Sequence, residues 1–268
     1  GKSASVITGA YSRPASELTQ DIGSFIRAVH AEDIGGGIHR IAFQLLVHAS
    51  APLQCPVDGR VVGALKAAGL NRVTVSLDSL DEVTFRAMND VNFPVADVLK
   101  GIDAAHGAGF TSIKINMVVK KGVNDKDIVA MARHFKGSGH IVRFIEFMDV
   151  GTSNGWCMND VVSSAEIVRM VNAEMPLIEA ESNDTSEVVE RWTYADGSGE
   201  IGVIPSVTQA FCATCRRAQP STNGKLNTCL LAQPCYDLHA LMRSGKSDQK
   251  IAAAIDLIYN QRRDRYAE

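Results

Sequence analysis

Between residues 61 and 173 the chain alternates short β-branched runs with longer amphipathic ones, and no other feature limits its fold so tightly. Val61–Ala68 reads as a helix closed at Gly69, and Arg72–Leu77 as a strand rich in valine and threonine. Helices follow over Asp81–Met88 and Val95–Ala108, then a strand over Ser112–Val119. Asp125–Phe135 reads as a helix, Ile141–Phe147 as a strand and Ser164–Ala173 as a helix. Strands separated by helices of this length cannot be hairpin partners. They predict a parallel sheet with helical crossovers, as a partial barrel or an open sheet.

One strand carries a further hint. Lys114 and Asn116 share a face of Ser112–Val119, and Ile113, Ile115 and Met117 share the other. A strand covered on both sides should be almost continuously apolar. Polar groups on the inner face therefore suggest a ligand-holding lumen, with exposure at a sheet edge as the plainer explanation. Arg143 and Glu146 in the next strand carry a similar hint, although they point to opposite faces. Before this region, Ser16–Ala31 can form a helix and Ile41–Val47 a strand that covers the open sheet edge. After Pro176 the rhythm changes. Val188–Tyr194 and Gly199–Ile204 form an antiparallel pair around Ala195-Asp196-Gly197, Leu226–Leu231 adds a short strand, and Asp237–Ser244 and Ser247–Tyr259 are terminal helices.

Chemistry concentrates in this last region. Phe211-Cys212-Ala213-Thr214-Cys215 is followed, after thirteen residues, by Cys229. Cys212 and Cys215 share one tight turn, and the turn-forming Pro220–Lys225 brings the chain back toward them. Three thiols without an evident fourth ligand leave two centres open: an iron–sulfur cluster with one open iron, or a zinc site completed by Cys235 or His239. Cys157, beside Trp156, is expected to have no metal role. Six cysteines among 268 residues are too few for a disulfide scaffold, and their clustering favours metal in a reducing compartment, with the cytoplasm as the default. A net charge of -3 offers no global attraction to nucleic acid or anionic membranes, and no apolar run approaches the roughly 18 residues of a membrane helix.

Several phrases resemble the radical S-adenosylmethionine GTP 3',8-cyclase family of molybdenum cofactor biosynthesis. They are Ser76–Asp81, Lys114–Val119, Gly122–Asp125, Arg143–Met148, Gly151–Trp156, Phe211–Cys215 and Asn223–Leu230, within residues 65 to 245. The resemblance implies an incomplete (β/α) TIM-like barrel over residues 1–175, divergent over 1–60, with a small C-terminal cluster-binding appendage over 176–268. It implies Cys212, Cys215 and Cys229 as ligands of a [4Fe-4S] cluster whose open iron binds the guanine of GTP. Ser76, Arg143 and Met148 correspond to residues beside S-adenosylmethionine, and Lys114 and Arg217 to basic residues facing the triphosphate. A reductant, a downstream molybdopterin-pathway enzyme and a homodimer are the partners implied.

The chain departs from the family in places. It has no C-x-x-x-C-x-x-C motif for a catalytic cluster, and Cys55 is the only cysteine before Cys157. Gly35-Gly36-Gly37 is a poor substitute for the family's Gly-Glu-Pro phrase, and Gln219 stands where a second arginine is expected. The last residues are Arg265-Tyr266-Ala267-Glu268 rather than the family's double glycine. A fragment, a divergent paralogue and a wrongly assembled N-terminus all accommodate these losses. The expectation is impaired cyclase activity and weakened S-adenosylmethionine binding, with a non-catalytic nucleotide- or cluster-binding paralogue or a structural zinc protein as alternatives.

Overall fold

The computed structural model describes residues 45–47, 62–63, 66–67, 72–89, 93–149, 155–181, 188–209, 219–220, 225–229 and 236–261. The helix expected over Ser16–Ala31, and Cys55, Cys212, Cys215, Arg217 and Cys235, lie outside the described residues.

Strands β1 (Leu45–Val47), β2 (Val73–Ser76), β3 (Lys114–Val119) and β4 (Ile141–Glu146) run parallel, neighbour to neighbour. Helices α1 (Glu82–Asn89) and α2 (Val95–Gly107) connect β2 to β3, and α3 (Ile128–Phe135) connects β3 to β4 after a 3-10 turn at Asp125–Asp127. Helix α4 (Ser164–Glu174) leaves β4 and leads to β5 (Leu177–Glu179), β6 (Glu190–Tyr194) and β7 (Glu200–Ile204). The sheet order is β1-β2-β3-β4-β7-β6-β5. Strand β7 lies parallel to β4, and only the β6 pairings are antiparallel. The expected α/β class and mostly parallel sheet are observed, with the seven strands forming an open run among the described residues. Strands β5 to β7 lie beyond residue 176, where the sequence suggests that a C-terminal region begins, yet they are hydrogen-bonded into the main sheet. A separate three-stranded sheet joins β8 (Gln219–Pro220), β9 (Lys225–Asn227) and β10 (Tyr236–Asp237), followed by α5 (Leu238–Arg243) and α6 (Asp248–Asn260).

The two periodicities of the sequence explain the core. Helix α3 buries Ile128, Met131, Ala132 and Phe135, the i, i+3, i+4, i+7 stripe of one helix face. Helix α2 buries Val95, Val98, Ile102 and Ala105. These stripes pack with Ile115, Met117 and Val119 of β3 and Val142 and Phe144 of β4 in one cluster, each strand residue at most 1% exposed. A buried leucine-sized side chain stabilises by about 1.5–3 kcal/mol, so this layer dominates the fold's stability. Helix α2 ends where Gly109 turns to φ 92°, which lets Phe110 N–H reach back to the Ala105 carbonyl at 3.2 Å. Helix α4 starts on Ser163, whose hydroxyl accepts the Glu166 N–H at 3.2 Å.

Candidate functional site

The opposite face of the strands is less covered. Lys114, Asn116 and Val118 of β3 and Ile141, Arg143 and Ile145 of β4 are half-buried, alternating with the fully buried helix-facing set. Strand β3 lies between β2 and β4, so exposure at a sheet edge does not account for its lysine and asparagine. Register aligns Ser76 with Asn116, Asn116 with Arg143, and Arg143 with Gly202. Residues level with each other in adjacent strands point to the same side, and strands lie about 4.8 Å apart. Ser76, Asn116 and Arg143 therefore form a polar row spanning about 10 Å. Lys114 lies one pleat earlier, level with Thr74 and Ile141. Asn116 Oδ1 is shielded from solvent and has no hydrogen-bond partner among the described residues. An unsatisfied buried carbonyl of this kind typically costs about 1–3 kcal/mol, and a bound donor would relieve it.

Beside Arg143, β7 carries a glycine. A Cβ on Gly202 would lie 2.6 Å from Val189 Cγ1, too close to fit unless Val189 moved, and 3.4 Å from Arg143 Cγ, a close but ordinary contact. Interior strand glycines mark such close approaches.

The row crosses β3 and β4 mid-strand and at Ser76 reaches the C-terminal end of β2, the end of parallel strands where ligands bind in folds of this class. Ser76 is the last residue of β2, and Met148 is half-buried two residues beyond β4. At this edge the Leu77 N–H still donates to the Asn116 carbonyl at 2.9 Å, after β2 itself has ended. The Asp78 side chain then supplies the next acceptor, taking the Val118 N–H on Oδ1 at 2.8 Å. Burial pushes this carboxyl up to about 6, against the lowering effect of the Val118 hydrogen bond. Asn124, fully buried, fixes the loop behind it. Its amide donates to the carbonyls of Asp78 and Val118, each at 2.8 Å, and its Oδ1 accepts the Lys120 N–H at 2.8 Å. Ser79 Oγ donates to Asp127 Oδ2 at 2.7 Å and joins the β2 and β3 exit loops.

A second segment closes on the same edge. Lys121 N–H donates to the Asp160 carbonyl at 2.8 Å, and Trp156 Nε1 donates to the Phe147 carbonyl at 2.9 Å. Lys120 Nζ lies 3.5 Å from Asp160 Oδ2 and 4.7 Å from the centre of the Phe147 ring.

The structure thus brings Ser76, Arg143 and Lys114 onto one face and leaves Met148 at its rim. Cys229 is half-buried, two residues beyond β9. His239, considered as a fourth metal ligand, is exposed, and its Nε2 accepts from Arg243 Nε at 2.9 Å. Among the described residues, no group of three or more histidine, cysteine or carboxylate side chains converges on a metal position. Glu146 corrects the reading of the sequence. It does not face the polar row; it is 0% exposed on the helix side, where its carboxylate accepts four hydrogen bonds. Gly202, Asp78 and Asn124 were not singled out in the sequence, although a glycine within a strand and an aspartate two residues past a strand-end serine are legible signals.

Residues 20–135 match the family model of the radical SAM superfamily, and residues 140–268 match that of Molybdenum Cofactor Synthesis C. Over 213 residues the chain is 46% identical to a GTP 3',8-cyclase of Acidothermus cellulolyticus, covering 78% of this chain and 59% of that protein. Over 205 residues it is 44% identical to a GTP 3',8-cyclase of Xanthomonas axonopodis pv. citri, covering 76% and 61%. Over 202 residues it is 41% identical to one from Staphylococcus carnosus, covering 75% and 59%.

The chain belongs to the radical SAM GTP 3',8-cyclase family.

It spans about three fifths of the length of these relatives, 59% of the first and 61% of the second. Among the described residues no helix is long and apolar enough to cross a membrane.

Proposed function

We propose that this chain acts in the GTP 3',8-cyclase step of molybdenum cofactor biosynthesis, binding S-adenosylmethionine and GTP on the polar face of the sheet. The observation that carries this reading is the row Ser76–Asn116–Arg143, in register on three central strands, with an orphaned Asn116 Oδ1 at its centre. Ser76, Arg143 and Met148 are assigned to S-adenosylmethionine. Lys114 and Arg217 are assigned to the triphosphate of GTP, as an ammonium and a guanidinium suit polyphosphate oxygens.

Cys212, Cys215 and Cys229 are assigned as ligands of a [4Fe-4S] cluster. Three thiols fit a cluster with one open iron, which would offer a Lewis-acidic position to the substrate base. This chain's residues bind and orient: Gly202 lies level with Arg143 and leaves room for Val189, Asp78 and Asn124 hold the loop after Ser76, and the segment 155–161 covers the rim. The residues 1–268 contain no C-x-x-x-C-x-x-C, and the residues named here bind and position rather than initiate a radical.

Anaerobic equilibrium dialysis tests the assignment. Lys114→Ala should weaken GTP binding with little change for S-adenosylmethionine, and Arg143→Ala should weaken S-adenosylmethionine binding. Unchanged binding of both ligands in both variants would remove the row from the site. After anaerobic reconstitution, about four irons and four sulfides per chain are expected from one such cluster.

A further inference from the structure

Glu146 is the last residue of β4, fully buried, and has no part in the binding proposed above. Its two oxygens gather four donors from two separate parts of the chain. Oε1 accepts the Ser164 N–H at 2.7 Å and the Thr208 hydroxyl at 2.6 Å. Oε2 accepts the N–H groups of Val207 and Thr208, each at 2.8 Å. A carboxylate offers about four acceptor sites, so these donors saturate it. Ser164 begins α4, and Val207 and Thr208 form the turn that leaves β7. That turn lies four residues before Cys212 in the sequence. One side chain thus ties the end of β4, which carries Arg143 and leads to Met148, to the root of the cysteine-bearing segment.

We propose that Glu146 is a positioning residue for the C-terminal cluster, fixing the Val207–Thr208 turn from which the Cys212 and Cys215 segment departs. The inference rests on the cluster assignment made above. A neutral amide of the same shape cannot do the same work. Glutamine keeps one carbonyl oxygen and turns an NH2 donor toward N–H or hydroxyl donors already in place. Thr208→Val is milder, since it removes the hydroxyl bond and leaves the three backbone bonds intact.

The test uses the full chain, reconstituted anaerobically with iron and sulfide. Three quantities are compared in wild type, Glu146→Gln and Thr208→Val: the rate of iron loss to excess chelator, the electron paramagnetic resonance spectrum of the reduced cluster, and the melting temperature. Glu146→Gln should lose iron about tenfold faster, as expected from losing one or two hydrogen bonds at a buried carboxylate, and should show a shifted spectrum. Thr208→Val should shift the same readouts by a smaller factor at an unchanged melting temperature, so it carries the test if Glu146→Gln fails to fold. Wild-type iron retention and spectrum in a folded Glu146→Gln, or in Thr208→Val if only that variant folds, overturn the positioning role and leave the cluster assignment standing. A wild-type chain that takes up no iron overturns the cluster assignment, and this inference with it.

Discussion

Asp78 is a carboxyl whose environment works against its charge, and the consequence for stability follows with a definite sign. Its pKa is pushed up to about 6 from the usual 3.8, chiefly by burial at the sheet's C-terminal edge. A raised acid pKa means that, between these two values, the folded state binds more protons than the unfolded one. Stability is therefore highest below the unfolded pKa and falls as pH rises toward the folded pKa. Integrating the linkage relation gives a penalty of about 1.6 kcal/mol at about pH 5 and about 3 kcal/mol at about pH 8. Asp78→Asn removes the titration and keeps an Oδ1 that accepts the Val118 N–H. Urea unfolding of both proteins, followed by circular dichroism across that range, should show the stability gap in favour of asparagine widening by about 1.4 kcal/mol. A constant gap would refute the buried, charge-averse carboxyl. The functional side of the prediction is that asparagine, although more stable, should not improve ligand binding, because strained groups beside a site are commonly there for the site's sake.

Gly202→Ala should cost about 1–3 kcal/mol through overlap with Val189, read by thermal melting. Tyr194→Phe removes the hydroxyl's 3.2 Å bond to the Ala132 carbonyl, which also accepts from Lys136 N–H, so the loss in urea unfolding should be about 1 kcal/mol or less. In the same pair, ultraviolet difference titration should place the Tyr194 phenol at about 12, raised mainly by burial. Cys212→Ser should lower the iron content of the reconstituted chain, and unchanged iron and sulfide would exclude that thiol as a ligand.

The helices between residues 82 and 174 and the strands β2 to β4 are legible because their periodicities are strong, whereas β1 lies in the least readable part of the chain. The stripe Ile128, Met131, Ala132 and Phe135 admits no strand, and the alternation of β3 admits no helix. The hairpin of β6 and β7 was legible from its turn residues, but its place was not. Nothing local in Glu200–Ile204 says that β7 pairs parallel with β4, since that contact joins segments far apart in sequence. Strand β5, only three residues long with a single half-buried position, was too weak a signal to read. At the site, Lys114 and Arg143 stand out as polar residues on apolar strands and Ser76 through the family resemblance, whereas register is what sets Gly202 and Asp78 against Arg143 and Val118.

Arg143 and Glu146 show why register matters to function here. Both interrupt one apolar strand, and in the sequence both read as signs of a polar lumen. Three residues apart, they fall on opposite faces of β4, one in the row with Ser76 and Asn116, the other among α4 and the β7 exit. The same strand therefore supplies one residue to the polar row and one to the hydrogen-bonded frame behind it. The two family matches meet just before this strand, one ending at residue 135 and the other starting at 140. Yet β3 and β4 are paired along their whole length, from Lys114 with Ile141 to Val119 with Glu146, and their buried residues share one core. The polar row crosses that junction between Asn116 and Arg143. A change that loosens either side must alter the spacing of the row, so the two matched regions hold the row as one sheet.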